Sequence, residues 1–181
     1  MILRPDIGWI EVISGPMFAG KTRELIKRIE DLKWQRRTPI IFKPKRDFRE
    51  PDKLSTHYGD SIDAVEVRHS LEIMKYQESI IVIDEAQMFD DDLPYVLSKL
   101  RDMGRWIIVS GLPLTSEGKP FGTMPHILAI ADDITYIHGI CSFCGRPATK
   151  TKALFEKTED IVVGGEGRYT PRCNACWKLR G

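Results

Sequence analysis

The sequence predicts an α/β fold, a mostly parallel sheet with helices on both faces, joined to a small C-terminal subdomain held by a metal rather than by a core. Three observations carry this expectation. Short β-rich runs alternate with amphipathic helical stretches over residues 8–139. Ile80-Ile-Val-Ile83 is apolar at every position, the pattern of a strand covered on both faces. The four cysteines fall as two Cys-x-x-Cys pairs in the last quarter of the 181-residue chain, in a stretch too short to bury a core of its own. The expected division is residues 1–139 for the α/β domain and 140–181 for the cysteine subdomain.

Each element has its own signal. Gly8 to Ser14 alternates, is β-rich and runs straight into a glycine-rich turn. A helix follows from about Thr22: Leu25, Ile29 and Leu32 recur at i, i+4 and i+7 beside Ile26, while Lys27, Arg28, Glu30, Asp31 and Lys33 face outward. Pro39 to Phe42 is a second strand, and the polar stretch after it, to about Ser61, carries little periodicity. A short strand at Ala64–Val67 and a short helix at Leu71–Tyr76 precede the buried strand Ile80–Ile83. Leu93 to Met103 forms a helix that stops at Gly104, and Trp106 to Ser110 another buried strand. Three glycines and two prolines make Gly111 to Gly122 a loop. A helix near Pro125–Ala131 and a strand at Ile134–Ile137 lead to the first cysteine pair.

Lys plus Arg number 27 and Asp plus Glu 26, a formal charge of +1. This balance argues against a basic nucleic-acid coat and an acidic solvating tail. With 42% hydrophobic and 29% charged residues the composition is that of a soluble globular protein, and no apolar run approaches a membrane span. Arg4, Pro5 and Asp6 stand where a signal peptide would grow its apolar stretch, so a cytoplasmic protein without a membrane partner is expected. In that reducing setting paired cysteines read as a metal site rather than as disulfides.

Gly15-Pro16-Met17-Phe18-Ala19-Gly20-Lys21-Thr22 matches G-x-x-x-x-G-K-[ST] in full, between a predicted strand and a predicted helix. Glycines let the backbone wrap a phosphate, inward N–H groups and the helix N-terminus supply positive potential, Lys21 reaches the β/γ-phosphates and the Thr22 hydroxyl can ligate Mg²⁺. The α/β domain is therefore expected to be of the P-loop nucleotide-binding kind, with ATP and Mg²⁺ as ligands. Ile80-Ile-Val-Ile83-Asp84-Glu85-Ala86-Gln87 supplies the second half of such a site: a strand tip delivers Asp84 beside the Mg²⁺. Glu85 follows at the carboxyl edge of the sheet, placed to serve as a general base. The attacking oxygen is either water or a substrate hydroxyl, and these residues do not decide between an ATPase and a kinase.

Cys141-x-x-Cys144 and Cys173-x-x-Cys176 offer four thiolates, the set that suits tetrahedral Zn²⁺ in a structural role. The 28 residues between the pairs exceed the commonest zinc-ribbon gap, but two separate knuckles can still meet. His57, His69, His126 and His138 show no ligand spacing with one another. Val162-Val-Gly-Gly165-Glu-Gly167-Arg-Tyr169 is a glycine-rich loop whose backbone could lie against a small ligand, anchored at its far end by the second knuckle. Lys150, Lys152, Arg168, Arg172, Lys178 and Arg180 surround the knuckles, and a zinc-knuckle ATPase that binds nucleic acid through them is the alternative reading.

Taken together these segments resemble the cellular, zinc-containing (type II) thymidine kinases. Gly15–Thr22 resembles that family's phosphate loop, Phe42–Arg49 its second-strand motif and Ile83–Phe89 its Asp-Glu-x-Gln-Phe box; Gly111–Phe121 is similar to its flexible segment and Gly164–Trp177 to its C-terminal signature. The resemblance runs in order over nearly the whole chain. It implies that Glu85 deprotonates the 5′-hydroxyl of a deoxynucleoside, which attacks the γ-phosphate of ATP in a salvage reaction that feeds DNA synthesis. It places Asp47 and Arg49 near the transferring phosphate. It places Met17, Gln87, Leu112, Phe121, Thr151 and Tyr169 in the nucleoside pocket, and makes Val162, Val163, Gly164 and Gly165 part of a lasso that holds the base through backbone hydrogen bonds. It also implies a thymidine or deoxyuridine substrate, a homotetramer and feedback inhibition by thymidine triphosphate. Met88, Pro113, Ser116 and Gly167 depart from the family pattern, all on the nucleoside side of the site.

Overall fold

The computed structural model describes residues 7–45, 53–55, 61–155 and 167–179. In chain order the elements are β1 (Trp9–Ser14), α1 (Lys21–Trp34), β2 (Ile40–Pro44), β3 (Lys53–Ser55), β4 (Ser61–Asp63), β5 (Val65–Val67), β6 (Ile80–Ile83), α2 (Leu93–Asp102), β7 (Trp106–Gly111), α3 (Met124–Ile130) and β8 (Asp133–Tyr136). The cysteine region adds β9 (Gly139–Ile140), β10 (Pro147–Ala148), β11 (Lys150–Ala153), β12 (Tyr169–Arg172) and α4 (Asn174–Lys178).

Six of the described strands form one sheet in the order β5-β2-β6-β7-β1-β8. Every pairing in it is parallel, with Ile10 opposite Ile107 and Ile81 opposite both Ile40 and Ile107. Alternation along the strands divides the core in two. Ile13, Ile41, Ile80, Val82 and Ile108 meet Leu25, Ile26, Ile29 and Leu32 of α1 on one face. Ile10, Val12, Ile81, Ile83, Ile107 and Val109 meet α2 and α3 on the other. All four residues of β6 are at most 1% exposed, which is why that strand carries no polar alternation. Each fully buried Leu or Ile on α1 contributes roughly 1.5–3 kcal/mol, and this apolar stripe fastens the helix to the sheet.

The elements follow the sequence expectation with local corrections. The stretch after β2 contains an antiparallel hairpin, β3 with β4; each strand is only three residues long, too short for period-two alternation to stand out. The expected helix at Leu71–Tyr76 is a 3₁₀ segment at Ser70–Lys75. Side chains hold its start: Glu72 Oε1 accepts the N–H groups of Arg68 and His69 at 3.0 Å each, and Asp90 accepts both the N–H and the hydroxyl of Ser70. The Gly111–Gly122 loop is internally bonded. Thr115 N–H donates to Lys119 O at 2.8 Å, Gly118 N–H to Thr115 O at 3.0 Å, and Leu114 bridges Pro120.

β9–β10 and β11–β12 are two small antiparallel ribbons that stack around the cysteines, where Ala148 is fully buried among Cys141, Cys173 and Cys176. That cluster is far too small to fold the region by apolar burial alone.

Candidate active site and metal centre

The phosphate loop joins β1 to α1 at the carboxyl edge of the sheet, as the motif requires. Gly15 is obligatory at its start. Its φ is 152°, and a Cβ there would lie 2.1 Å from Ile137 O, so no side chain fits between the loop and the strand end that follows β8. Pro16 is buried, Met17, Phe18 and Ala19 are half-buried, and Gly20 caps α1 in a left-handed conformation, which leaves the first helical N–H groups without a side-chain cap. Lys21 Nζ donates to Pro16 O at 2.8 Å, and the ammonium is thereby held against the loop. Thr22 follows in the first turn of α1.

Asp84 directly follows β6, which lies two strands away from β1 with β7 between them. Asp84 is 5% exposed. Burial, and then the neighbouring Glu85 carboxylate, push its pKa up to about 6. The Asp84 carboxylate and the Thr22 hydroxyl are oxygen donors of the kind that Mg²⁺ takes. Glu85 takes the left-handed conformation, φ 54° and ψ 43°, rare for a residue with a long side chain. The turn it makes reverses the chain out of β6 into a short 3₁₀ segment, Ala86–Met88. Gln87 in that segment is 5% exposed. Its amide donates to Glu85 Oε2, while its own Oε1 accepts the Leu112 N–H at 2.9 Å. Behind it, a Cβ on Gly122 would sit 2.3 Å from Gln87 O, so the segment carrying Phe121 packs directly on the Gln87 backbone.

Thr151, 5% exposed on β11, accepts the Met17 N–H at 3.0 Å through its hydroxyl. The cysteine region therefore touches the phosphate loop directly. Across the β11–β12 ribbon Tyr169 pairs with Ala153; it is 8% exposed and its ring meets Phe155 edge-on at 5.5 Å. Of the residues expected at the nucleoside pocket, the structure thus joins Met17 to Thr151, and Gln87 to Leu112 and the Phe121 segment. Asp47, Arg49, Val162, Val163, Gly164 and Gly165 lie outside the described residues.

Lys43 was not singled out by its sequence context. It stands on β2, only 3% exposed, and its charge acts on Asp84 to lower the carboxyl pKa against the burial. The available signal was the pattern Phe42-Lys43-Pro44 itself, a lysine in a strand whose neighbours are all inward.

The four cysteines meet. Their Sγ atoms all lie within 4.8 Å of one another, and Cys144 Sγ is 3.7 Å from Cys173 Sγ. None is in a disulfide. Four sulfurs about 2.3 Å from one tetrahedral ion stand roughly 3.8 Å apart, so this constellation fits Zn²⁺. Burial opposes ionisation of Cys141, yet the N–H groups of Cys173, Phe143 and Cys144 bring its thiol down to about 6. Burial and the neighbouring sulfurs push Cys176 up to about 12. A divalent ion would accept all four as thiolates.

The profile of the family described as "Thymidine kinase" matches residues 8–177. The chain belongs to the thymidine kinase family. The match takes in the phosphate loop, the Asp84–Gln87 segment, the loop from Gly111 to Gly122 and both cysteine pairs. Among solved structures, the chain is similar to that of the Legionella pneumophila ATPase DotB, at 11% identity and a TM-score of 0.46, over 80% of this chain and 44% of that one. The chain spans less than half the length of that protein's chain.

Proposed function

We propose that this thymidine kinase family member transfers the γ-phosphoryl group of ATP to the 5′-hydroxyl of thymidine or deoxyuridine, a salvage step that supplies DNA synthesis. The observation that supports it most directly is the bridge Glu85–Gln87–Leu112: one buried amide joins the carboxylate at the end of β6 to the loop after β7, which would form one wall of a nucleoside pocket. An ATPase needs the carboxylate but has no use for that wall.

In this reading Lys21 and the N–H groups from Phe18 to Thr22, where the loop runs into α1, hold the phosphates, with Asp47 and Arg49 beside the group in transfer. Glu85 accepts the proton from the 5′-hydroxyl, and Gln87 keeps the carboxylate oxygen turned toward it. Mg²⁺, held by Thr22 and Asp84, neutralises charge on the phosphate oxygens when bound. Met17, Leu112, Phe121, Thr151 and Tyr169 enclose the nucleoside, and Val162–Gly165 close over the base and exclude water. Zn²⁺ on Cys141, Cys144, Cys173 and Cys176 is structural. The two-part division at residue 139, a homotetrameric assembly, feedback inhibition by thymidine triphosphate and a cytoplasmic location belong to the same reading, on the family likeness. Among the described residues no helix is long and apolar enough to cross a membrane.

The test is a nucleoside panel. The protein is incubated with ATP and Mg²⁺ and with thymidine, deoxyuridine, deoxycytidine or no nucleoside, and ADP and monophosphate are followed. Thymidine or deoxyuridine is expected to give stoichiometric monophosphate and ADP. Nucleoside-independent ADP release, or none at all, overturns the reading.

A further inference from the structure

We infer that Trp177 is a positioning residue: its single indole N–H fastens the four-cysteine knuckle to both walls of the nucleoside pocket and, through Thr151, to the phosphate loop. Nε1 is shared between two carbonyls, Thr151 O at 3.1 Å and Ser116 O at 3.2 Å. The first lies on β11 and the second in the internally bonded loop between Leu112 and Phe121. Thr151 in turn accepts the Met17 N–H at 3.0 Å. One side chain therefore ties together three segments that are separated by more than a hundred positions at their extremes, Met17 to Trp177.

Its own position is set by the knuckle. Cys173 caps the short helix α4, where its sulfur accepts the Cys176 N–H at 3.5 Å and its carbonyl the Trp177 N–H at 2.9 Å. Sulfurs one and four residues before the ring thus dictate where it points. The ring is also seated by shape. Gly118, at φ 78°, presses against it, and a Cβ there would stand 2.9 Å from the indole Cη2. Lys150 Nζ lies 5.7 Å from the ring centroid and adds a cation–π contact. The indole offers both a ring against Gly118 and a donor for two carbonyls, so the residue does more than fill space.

The consequence is energetic coupling between the metal centre and the substrate site without a shared ligand. Hydrogen–deuterium exchange reads it without turnover, on the zinc-loaded full chain. Trp177→Phe keeps the ring but removes the donor. It should raise exchange about fivefold at the amides of Thr115, Gly118 and Phe121, the loss of roughly one ordinary hydrogen bond, while β6 and β7 stay unchanged. Thr151→Val should raise exchange at Met17 by a similar factor and leave the 113–121 loop alone, and Thr151→Ser should restore protection at Met17. If Trp177→Phe loses zinc, Gly118→Ala displaces the ring from the other side without touching the knuckle; because at φ 78° it disturbs its own loop in any case, it is read across the ring, where exchange at Met17 should rise. Unchanged exchange in the loop for the zinc-loaded variant overturns the inference. The kinetic arm rests on the nucleoside-kinase reading: KM for the nucleoside should rise about fivefold in Trp177→Phe with kcat within twofold. A fall in kcat at constant KM contradicts a positioning role. If the wild-type chain phosphorylates no nucleoside, that reading fails while the exchange result still decides the inference.

Discussion

The side-chain amide of Gln87 donates to the carboxylate of Glu85, two residues before it, inside a turn where Glu85 has a left-handed backbone. The bond holds the carboxylate in place, and the other end of the same amide holds the Leu112 N–H. Removing Gln87 therefore has two effects at once. Gln87→Leu is expected to lower kcat about tenfold and raise the nucleoside KM. It also leaves the Leu112 N–H without its partner, at about 1–3 kcal/mol of stability. Steady-state kinetics and urea denaturation measure the two effects separately; unaltered kinetics would show that Glu85 needs no such hold.

Glu85→Gln removes the base and little else. ATP affinity should remain within about threefold of wild type while kcat falls about 10²–10⁴-fold, the range of a lost general base. Fluorescent-nucleotide titration beside turnover assays checks this pair of outcomes. Near-normal turnover would dismiss Glu85 as the base.

Gly15→Ala pushes a methyl group against Ile137 O, 2.1 Å from where its Cβ must go, at a φ of 152°. Both the loop and the strand end behind it have to move. Nucleotide binding should be lost and the protein destabilised by about 2 kcal/mol or more, as expected where backbone blocks a side chain. Thermal unfolding with and without ATP reads both, since a ligand-induced shift should vanish in the variant. Persistence of that shift would mean the loop tolerates a side chain at position 15.

Chelation of the metal should loosen β9–β12 and α4 first, because the four-residue buried cluster there cannot hold them. The nucleoside should be lost more than ATP, since on the proposed reading ATP is held chiefly by the loop between β1 and α1, which meets the cysteine region at the Met17–Thr151 bond. Isothermal titration before and after chelation compares the two, and an equal loss of both ligands would contradict this ordering.

Asp90 gives a pH signature. Partial burial works against its ionisation, but the Ser70 hydroxyl and N–H and the Asp92 N–H outweigh it and hold the pKa below its ordinary 3.8. A depressed carboxylate pKa stabilises the fold above the unfolded value, and this contribution disappears as pH falls through the folded one. Asp90→Asn should therefore cost about 1–2 kcal/mol at pH 7 and progressively less below pH 4. Denaturant midpoints across that range test it; a gap independent of pH would assign the effect to packing.

The sheet, its two helical faces and the phosphate loop are legible in the sequence because their determinants are local. A run of four apolar residues ending in Asp84, a 3.6-residue stripe on α1 and the spacing of Gly15, Gly20 and Lys21 each act within one or two elements. The cysteine spacing likewise announces a metal centre, since two tight knuckles need only be brought together once. The β3–β4 hairpin and the 3₁₀ segment at Ser70–Lys75 are not legible in this way. The hairpin strands are too short to show a period, and the segment depends on Asp90, twenty residues further on.

By itself, then, the sequence determined the class of fold, a glycine-rich loop of the phosphate-binding pattern and four cysteines that could hold a zinc ion, all of them short-range patterns that the chain must satisfy wherever it packs. Only the tertiary structure decided how the parts are coupled. Gln87 reaches Leu112 across 25 positions, Lys43 comes to act on Asp84, Thr151 meets Met17 across 134 positions, and Trp177 spans to Ser116 across 61. Gln87, Lys43 and Thr151 are buried and Trp177 half-buried, and each carries a polar group that has to find a partner once the sheet and the ribbons have closed around it. Which partner it finds depends on where distant segments come to lie, and no local pattern encodes that.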